Sequence, residues 1–157
     1  MTTTPSPLLT PERIKFKKKI ESQKCAFDTL TELLVKGQNE ISKNEVFDAL
    51  IDREKLGTTY IGNGISIPRA RVAITHPRAA ILALKQGLKS NSVDKQAINF
   101  YLAILLPSES SEDYSDKLKA LNKNLLIEDN LNNILSTKNP DRLIEYIENI
   151  LDNKGSN

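Results

Sequence analysis

The sequence has one cysteine, one histidine, no tryptophan and no apolar run long enough to span a bilayer. Cys25 alone leaves no internal disulfide and no Cys-based zinc site, as expected of a reducing compartment, so a cytoplasmic location is the simplest expectation. A net charge of +2, from 22 Lys and Arg against 20 Asp and Glu, gives no electrostatic argument for nucleic acid or an acidic membrane surface. Neither a cluster of metal ligands nor a Walker pattern occurs, so no metal and no nucleotide cofactor is expected. The opening Met1-Thr2-Thr3-Thr4-Pro5-Ser6-Pro7 lacks the basic and then apolar stretches of a secretory signal, and residues 1 to 9 read as a disordered leader.

What is present is an aliphatic globule: 39% of the 157 residues are hydrophobic and only 5% aromatic. That length can bury a real core without disulfides or a structural metal. Ile14, Phe16 and Ile20 alternate with Lys15, Lys17 and Lys19, predicting an edge strand with lysines outward, the alternative being an anion patch. Ser22 caps a helix with an inner face of Ala26, Phe27, Leu30, Leu33 and Leu34, ended by Gly37, and Cys25 is expected near the core. Ser42 and Glu45 form a capping box for a second helix, with Val46, Phe47, Leu50 and Ile51 inward, running to about Leu56.

Further along, Ala80 to Leu84 reads as a strand, Gly87 to Lys95 as a turn, and Ile98 to Leu106 as a long central strand ended by Pro107. The serine-rich acidic loop Ser108 to Asp113 supplies capping residues for a helix carrying Tyr114, Leu118, Leu121, Leu125 and Leu126. A short helix around Leu131, Ile134 and Leu135 follows. Asn139-Pro140-Asp141 starts the last one, with a stripe of Leu143, Ile144, Ile147, Ile150 and Leu151. The pattern predicts one α/β domain on residues 10 to 152 and a frayed tail on 153 to 157.

The organising stretch is Gly57 to Arg71. Gly62 and Gly64 flank Asn63, residue types that tolerate positive φ, so the loop can turn sharply and expose N–H groups. Ile65 and Ile67 alternate with Ser66 as in a half-buried strand, and Pro68 then presents Arg69 at a strand end beside the loop.

From Arg53-Glu54-Lys55-Leu56-Gly57 through Gly62-Asn63-Gly64-Ile65-Ser66-Ile67-Pro68, the chain resembles the enzyme IIA domain of the fructose, mannitol and nitrogen-regulatory branch of the bacterial phosphotransferase system. The opening Leu9 to Ile14, the strand Ile98 to Pro107 and the start at Asn139 extend the likeness over nearly the whole domain. The resemblance implies a sandwich of a mixed β-sheet flanked by α-helices. It also implies a relay in which a histidine directly after the Ile-Pro pair receives phosphate from a histidine phosphocarrier.

Here that position holds Arg69, the position of a second supporting histidine holds Tyr114, and the supporting arginine is present as Arg53. Guanidinium stays protonated and has no lone pair to attack phosphorus, so the likeness implies that the usual phosphoenzyme is lost. Arg53, Gly62, Asn63, Gly64, Arg69, Arg71 and Tyr114 are then expected to bind an anion or a protein partner, such as the phosphocarrier, a kinase or a transporter, with no membrane insertion. Such a domain would be locked in a state like the unphosphorylated one, or would recruit an acidic surface or a phosphorylated ligand. The alternative is a working phosphocarrier that uses His76, the sole histidine, or another acceptor.

Overall fold

The computed structural model describes residues 7–89, 94–110 and 114–152. The chain divides into two compact units, Met1–Ser110 and Ser111–Asn157.

The first unit is built on a six-stranded mixed sheet: β1 (Ile14–Lys17), β2 (Tyr60–Gly62), β3 (Ile65–Ser66), β4 (Arg69–Val72), β5 (Arg78–Leu88) and β6 (Ile98–Pro107). The strand order is β1-β5-β6-β3-β2, with β4 also on β6. β6 is central, antiparallel to β5 and parallel to β3 and β4; its apolar run, interrupted only by Asn99, suits a strand covered on both faces. β1 is an edge strand parallel to β5, with Lys15 exposed, as its alternation predicts.

Two helices pack on this sheet, α1 (Gln23–Leu34) and α2 (Lys43–Leu56). Ser22 Oγ accepts from Cys25 N at 3.1 Å, and the Ser42–Glu45 capping box is complete. Phe27, Leu30 and Leu34 of α1 and Val46 and Leu50 of α2 meet Ala80 and Leu82 of β5 and Tyr101, Ala103 and Leu105 of β6. Each large apolar side chain so buried contributes about 1.5–3 kcal/mol. Cys25 departs from expectation: it is exposed, because it shares the outward helix face with Asp28 and Glu32 three and seven residues on.

Three further expectations are corrected. The first concerns the start of the fold: Pro7 and Leu8 carbonyls each accept from Arg13 Nη2, at 3.1 and 3.0 Å, and Leu9 is buried, so residues 7–9 belong to the fold and not to a leader. The second concerns the turn expected from Gly87. β5 continues through Leu88 with an irregular register, and a Cβ on Gly87 would lie 2.7 Å from Ala97 Cβ, so this glycine permits close approach inside a strand. The turn's middle, residues 90–93, lies outside the described residues, as do 111–113 of the acidic loop. The third concerns Ser66, which is as buried as Ile65 and Ile67; the stretch is covered on both faces, and β3 and β4 are separate strands on one partner.

Two arginines in this unit are structural. Arg13, 6% exposed, also donates Nε to Ala79 O at 3.0 Å, and burial, with Arg78 nearby, lowers its pKa to about 10. Arg78 donates to Leu34 O at 2.8 Å and to Lys36 O, placing a cation at the C-terminus of α1, where the helix dipole favours it.

The second unit holds α3 (Ser115–Leu125), α4 (Glu128–Ser136) and α5 (Pro140–Asp152). Leu121, Leu125, Ile134, Leu143, Ile147 and Ile150 are buried, following the expected stripes. Asn139 Oδ1 accepts from Arg142 N at 3.1 Å, so the Asn-Pro-Asp start works as a cap. α3 follows Tyr114, and the loop residues 111–113 expected to cap it lie outside the described residues.

Candidate functional site

α2 ends at Leu56, and its last turn folds back on the segment that follows. Arg53 Nη1 donates to Gly57 O at 2.9 Å. Glu54 accepts from Thr59 N at 3.1 Å and from Thr59 Oγ1 at 2.5 Å, so both carboxylate oxygens are engaged. Thr59 is 2% exposed; its carbonyl takes Ile67 N at 2.9 Å, and its hydroxyl lies 3.4 Å from Ser66 Oγ. The helix end, Thr59 and β3 are thereby pinned together, which fixes where Pro68 and Arg69 emerge.

Beside this pin the chain turns through three successive positive φ values, Gly62 at 113°, Asn63 at 53° and Gly64 at 81°. The turn forms as its composition predicts, but its N–H groups are occupied from within. Asn63 N donates to Asp94 Oδ2 at 3.3 Å, and Gly64 N donates to Tyr60 Oη at 2.9 Å. Tyr60 Oη in turn donates to the same Asp94 oxygen at 2.7 Å, and Gln96 N holds Oδ1 at 3.0 Å. Asn63 and Gly64 therefore present Asp94 and Tyr60, not open donors, to any incoming anion.

Arg69 opens β4 opposite Ile104, and Pro68 O accepts Ile104 N at 2.9 Å. Its side chain is half-buried and makes no hydrogen bond or ion pair among the described residues. Burial pushes its pKa down, the charge of Arg53 pushes the same way, and Glu54 opposes them. Arg53 and Arg69 thus lie within electrostatic reach of each other, with Glu54 as the opposing charge. Arg71, two residues along, is exposed and donates Nη1 to Pro107 O at 3.3 Å. Tyr114 belongs to the second unit, with Lys117 Nζ 5.7 Å from its ring centroid.

His76 is exposed, in the connection between β4 and β5. Three residue steps of extended strand from Arg69 to Val72 already carry the chain about 10 Å away. Its neighbour Thr75 is tied to Glu40, whose carboxyl is held below its ordinary pKa first by the Thr75 hydroxyl.

Composition gave no pointer to Glu54, Tyr60, Asp94 or Tyr101. Tyr101 sits inside the β6 apolar run, next to Ser66 in register, and its hydroxyl is fully buried with no partner among the described residues. Burial, and then the charge of Glu54, push this phenol well above its usual pKa, so it stays neutral. A buried hydroxyl without a partner is destabilising, so Tyr101→Phe is expected to raise the unfolding free energy by about 1 kcal/mol. A higher urea midpoint at unchanged slope would show it; a lower midpoint would mean that the hydroxyl is satisfied.

Among the described residues no group of His, Cys, Asp and Glu could hold a metal ion, and no helix is long and apolar enough to cross a membrane.

Residues 7–150 match the family described as phosphoenolpyruvate-dependent sugar phosphotransferase system, EIIA 2. The nitrogen regulatory protein homolog of Haemophilus influenzae is 30% identical over 146 residues, 90% of this chain and 88% of that one. Among solved structures, nitrogen regulatory protein IIA-Ntr from Neisseria meningitidis superposes with a TM-score of 0.81 at 20% identity, covering 89% of this chain and 96% of that one. The Escherichia coli complex of enzyme IIAMTL and phosphorylated enzyme IIBMTL matches with a TM-score of 0.71 at 20% identity, covering 90% and 97%. At these identities the two structures establish the fold alone.

Proposed function

Because the chain belongs to the EIIA 2 family of the phosphoenolpyruvate-dependent sugar phosphotransferase system, we propose that it is a regulatory protein of that system that docks on partner proteins and carries no phosphoryl group at Arg69. The observation that carries this reading is the half-buried guanidinium directly after Pro68, which makes no hydrogen bond or ion pair among the described residues. A phosphoryl acceptor must offer a lone pair in line with the leaving oxygen; guanidinium offers only N–H donors and holds its proton at any physiological pH. Even with its pKa lowered by burial and by Arg53, Arg69 remains a cation.

Regulation then rests on protein contact in the cytoplasm, with Arg69 supplying positive charge where a phosphoryl group would supply negative charge. His76 is a poor substitute because phosphoryl transfer needs near-exact alignment, and β4 separates it from Arg53 and Arg69. The test is incubation of the full chain with labelled phosphoenolpyruvate, enzyme I and the histidine phosphocarrier. The chain is expected to take no stable label. Stoichiometric label that disappears in His76→Ala would overturn the reading in favour of a working phosphocarrier.

A further inference from the structure

The turn ahead of β3 holds the only Asn-Gly pair in the sequence, Asn63-Gly64. An asparagine before glycine is open to attack on its side-chain carbonyl by the next main-chain nitrogen, because glycine has no Cβ to hinder the approach and the ring that closes is small. Asn63 is exposed, so water reaches its amide. Its nucleophile is held elsewhere. Gly64 N donates to Tyr60 Oη at 2.9 Å, and Tyr60 Oη donates at 2.7 Å to Asp94 Oδ2, the oxygen that also accepts Asn63 N at 3.3 Å. Gly64 is buried, and its carbonyl accepts Asn99 N at 2.9 Å and Phe100 N at 3.1 Å. For Gly64 N to reach Asn63 Cγ, the peptide between them must turn out of its bond to Tyr60, against the hold of β6 on the next carbonyl.

We propose that Asn63 is a covalent modification site, a self-deamidating asparagine whose ring closure with Gly64 N is held back by Tyr60 and Asp94 and is released when this turn opens. In the open turn Gly64 N gives its proton to hydroxide, and its electron pair forms a bond to Asn63 Cγ. The bond from Cγ to Nδ2 breaks, and the nitrogen leaves as ammonia with a proton taken from water. Water then adds to one carbonyl of the cyclic imide. Breaking the new bond between Cγ and N leaves an aspartate at position 63; breaking the original peptide bond leaves an isoaspartate, with the side-chain carbons now in the main chain. Water is consumed and ammonia released, and nothing is oxidised or reduced.

Either product puts a negative charge on the residue whose N–H Asp94 accepts, so the two carboxylates repel and the open turn gains over the closed one. The isoaspartate also lengthens the chain just ahead of Ile65, which pairs beside Phe100. No part of the step involves Arg69.

The experiment incubates the full chain in mildly alkaline buffer, folded and in urea. Conversion at Asn63 is followed by peptide mass spectrometry, isoaspartate by enzymatic methylation, and exchange of the Gly64 amide by NMR. Conversion in urea is expected to be at least about tenfold faster than in the folded chain, the factor that the closed turn withholds. Tyr60→Phe keeps the ring and removes the acceptor. It should raise the folded rate about fivefold, raise Gly64 amide exchange by the same factor, and leave the rate in urea unchanged. Asp94→Ala, on the far side of the same network, should act in the same direction and serves if Tyr60→Phe does not fold. Asn63→Gln, which would have to close a larger ring, should remove the product.

Equal rates folded and in urea overturn the restraint. An unchanged rate in Tyr60→Phe, or a faster one without faster amide exchange, overturns its assignment to Tyr60. Absence of conversion at Asn63 even in urea overturns the site itself.

Discussion

Arg69→His is expected to raise phosphoryl labelling of the chain by the phosphorylated phosphocarrier at least about a hundredfold over wild type, the order contributed by one well-placed reacting group. Imidazole restores a lone pair at the residue that opens β4. The neighbouring geometry does not depend on the arginine: Pro68 O still receives Ile104 N, Glu54 still pins Thr59, and Arg53 still lies close by. Because Arg69 makes no hydrogen bond among the described residues, its removal leaves no protein group unsatisfied and relieves its repulsion with Arg53. Label should appear with His76→Ala in the background, which assigns it to position 69. Labelling no greater than wild type would mean that the scaffold around Pro68 has lost competence along with the acceptor.

The second large effect is on stability. Gly64→Ala is expected to lower the unfolding free energy by about 2–3 kcal/mol, from a left-handed backbone and a crowded Cβ together. The φ of Gly64 is 81°, and a Cβ there would lie 2.7 Å from Asn99 Oδ1 and 3.0 Å from Ala97 O. The Asn99 side chain can swing away; the Ala97 carbonyl is main chain and yields less readily. The same glycine's carbonyl receives Asn99 N at 2.9 Å and Phe100 N at 3.1 Å, so a shift of the loop is felt at the start of β6. Gly57→Ala is the control: its φ of 162° is ordinary extended backbone and its Cβ direction is open, so the change should stay within about 0.5 kcal/mol. Urea unfolding of the two variants separates the cases, and similar small losses in both would refute the crowding argument.

Local chemistry was readable wherever its partners are near in sequence. Ser42 and Glu45 satisfy one another across one helical turn, Asn139 caps its own helix, and the apolar run of β6 could only be a strand covered on both faces. What escaped depends on distant partners. Arg13 stands beside a lysine-rich strand and looks like one more surface cation, yet its Nε acceptor, the Ala79 carbonyl, is 66 residues away. Ser66 breaks the apolar pattern only because its hydroxyl faces Thr59 inside the fold. Cys25 was misplaced because the first turn of α1 has no apolar repeat before it to set the phase.

The candidate site was legible as a place and not as an electrostatic arrangement. Residue order alone brought Arg53, the glycine loop and Arg69 into one segment. It could not show that the Glu54 and Asp94 carboxylates take their hydrogen bonds from Thr59, Tyr60, Asn63 and Gln96. The overall charge balance concealed an uneven distribution as well: residues 1–110 carry 16 Lys and Arg against 11 Asp and Glu, while residues 111–157 carry 6 against 9.

The parallel pairing of β3 and β4 with β6 also orders events during synthesis. Ile65 pairs beside Phe100 and Arg69 beside Ile104, so the strands that carry the loop and the arginine find their common partner only after residues 98–107 have been made. A nascent chain that already contains Arg53, Leu56 and Arg69 therefore has nothing to hold them in register, and closing a connection of this length waits on the far strand. A ribosome-bound fragment ending short of β6 would carry Arg53 and Arg69 without the strand against which Arg69 is set.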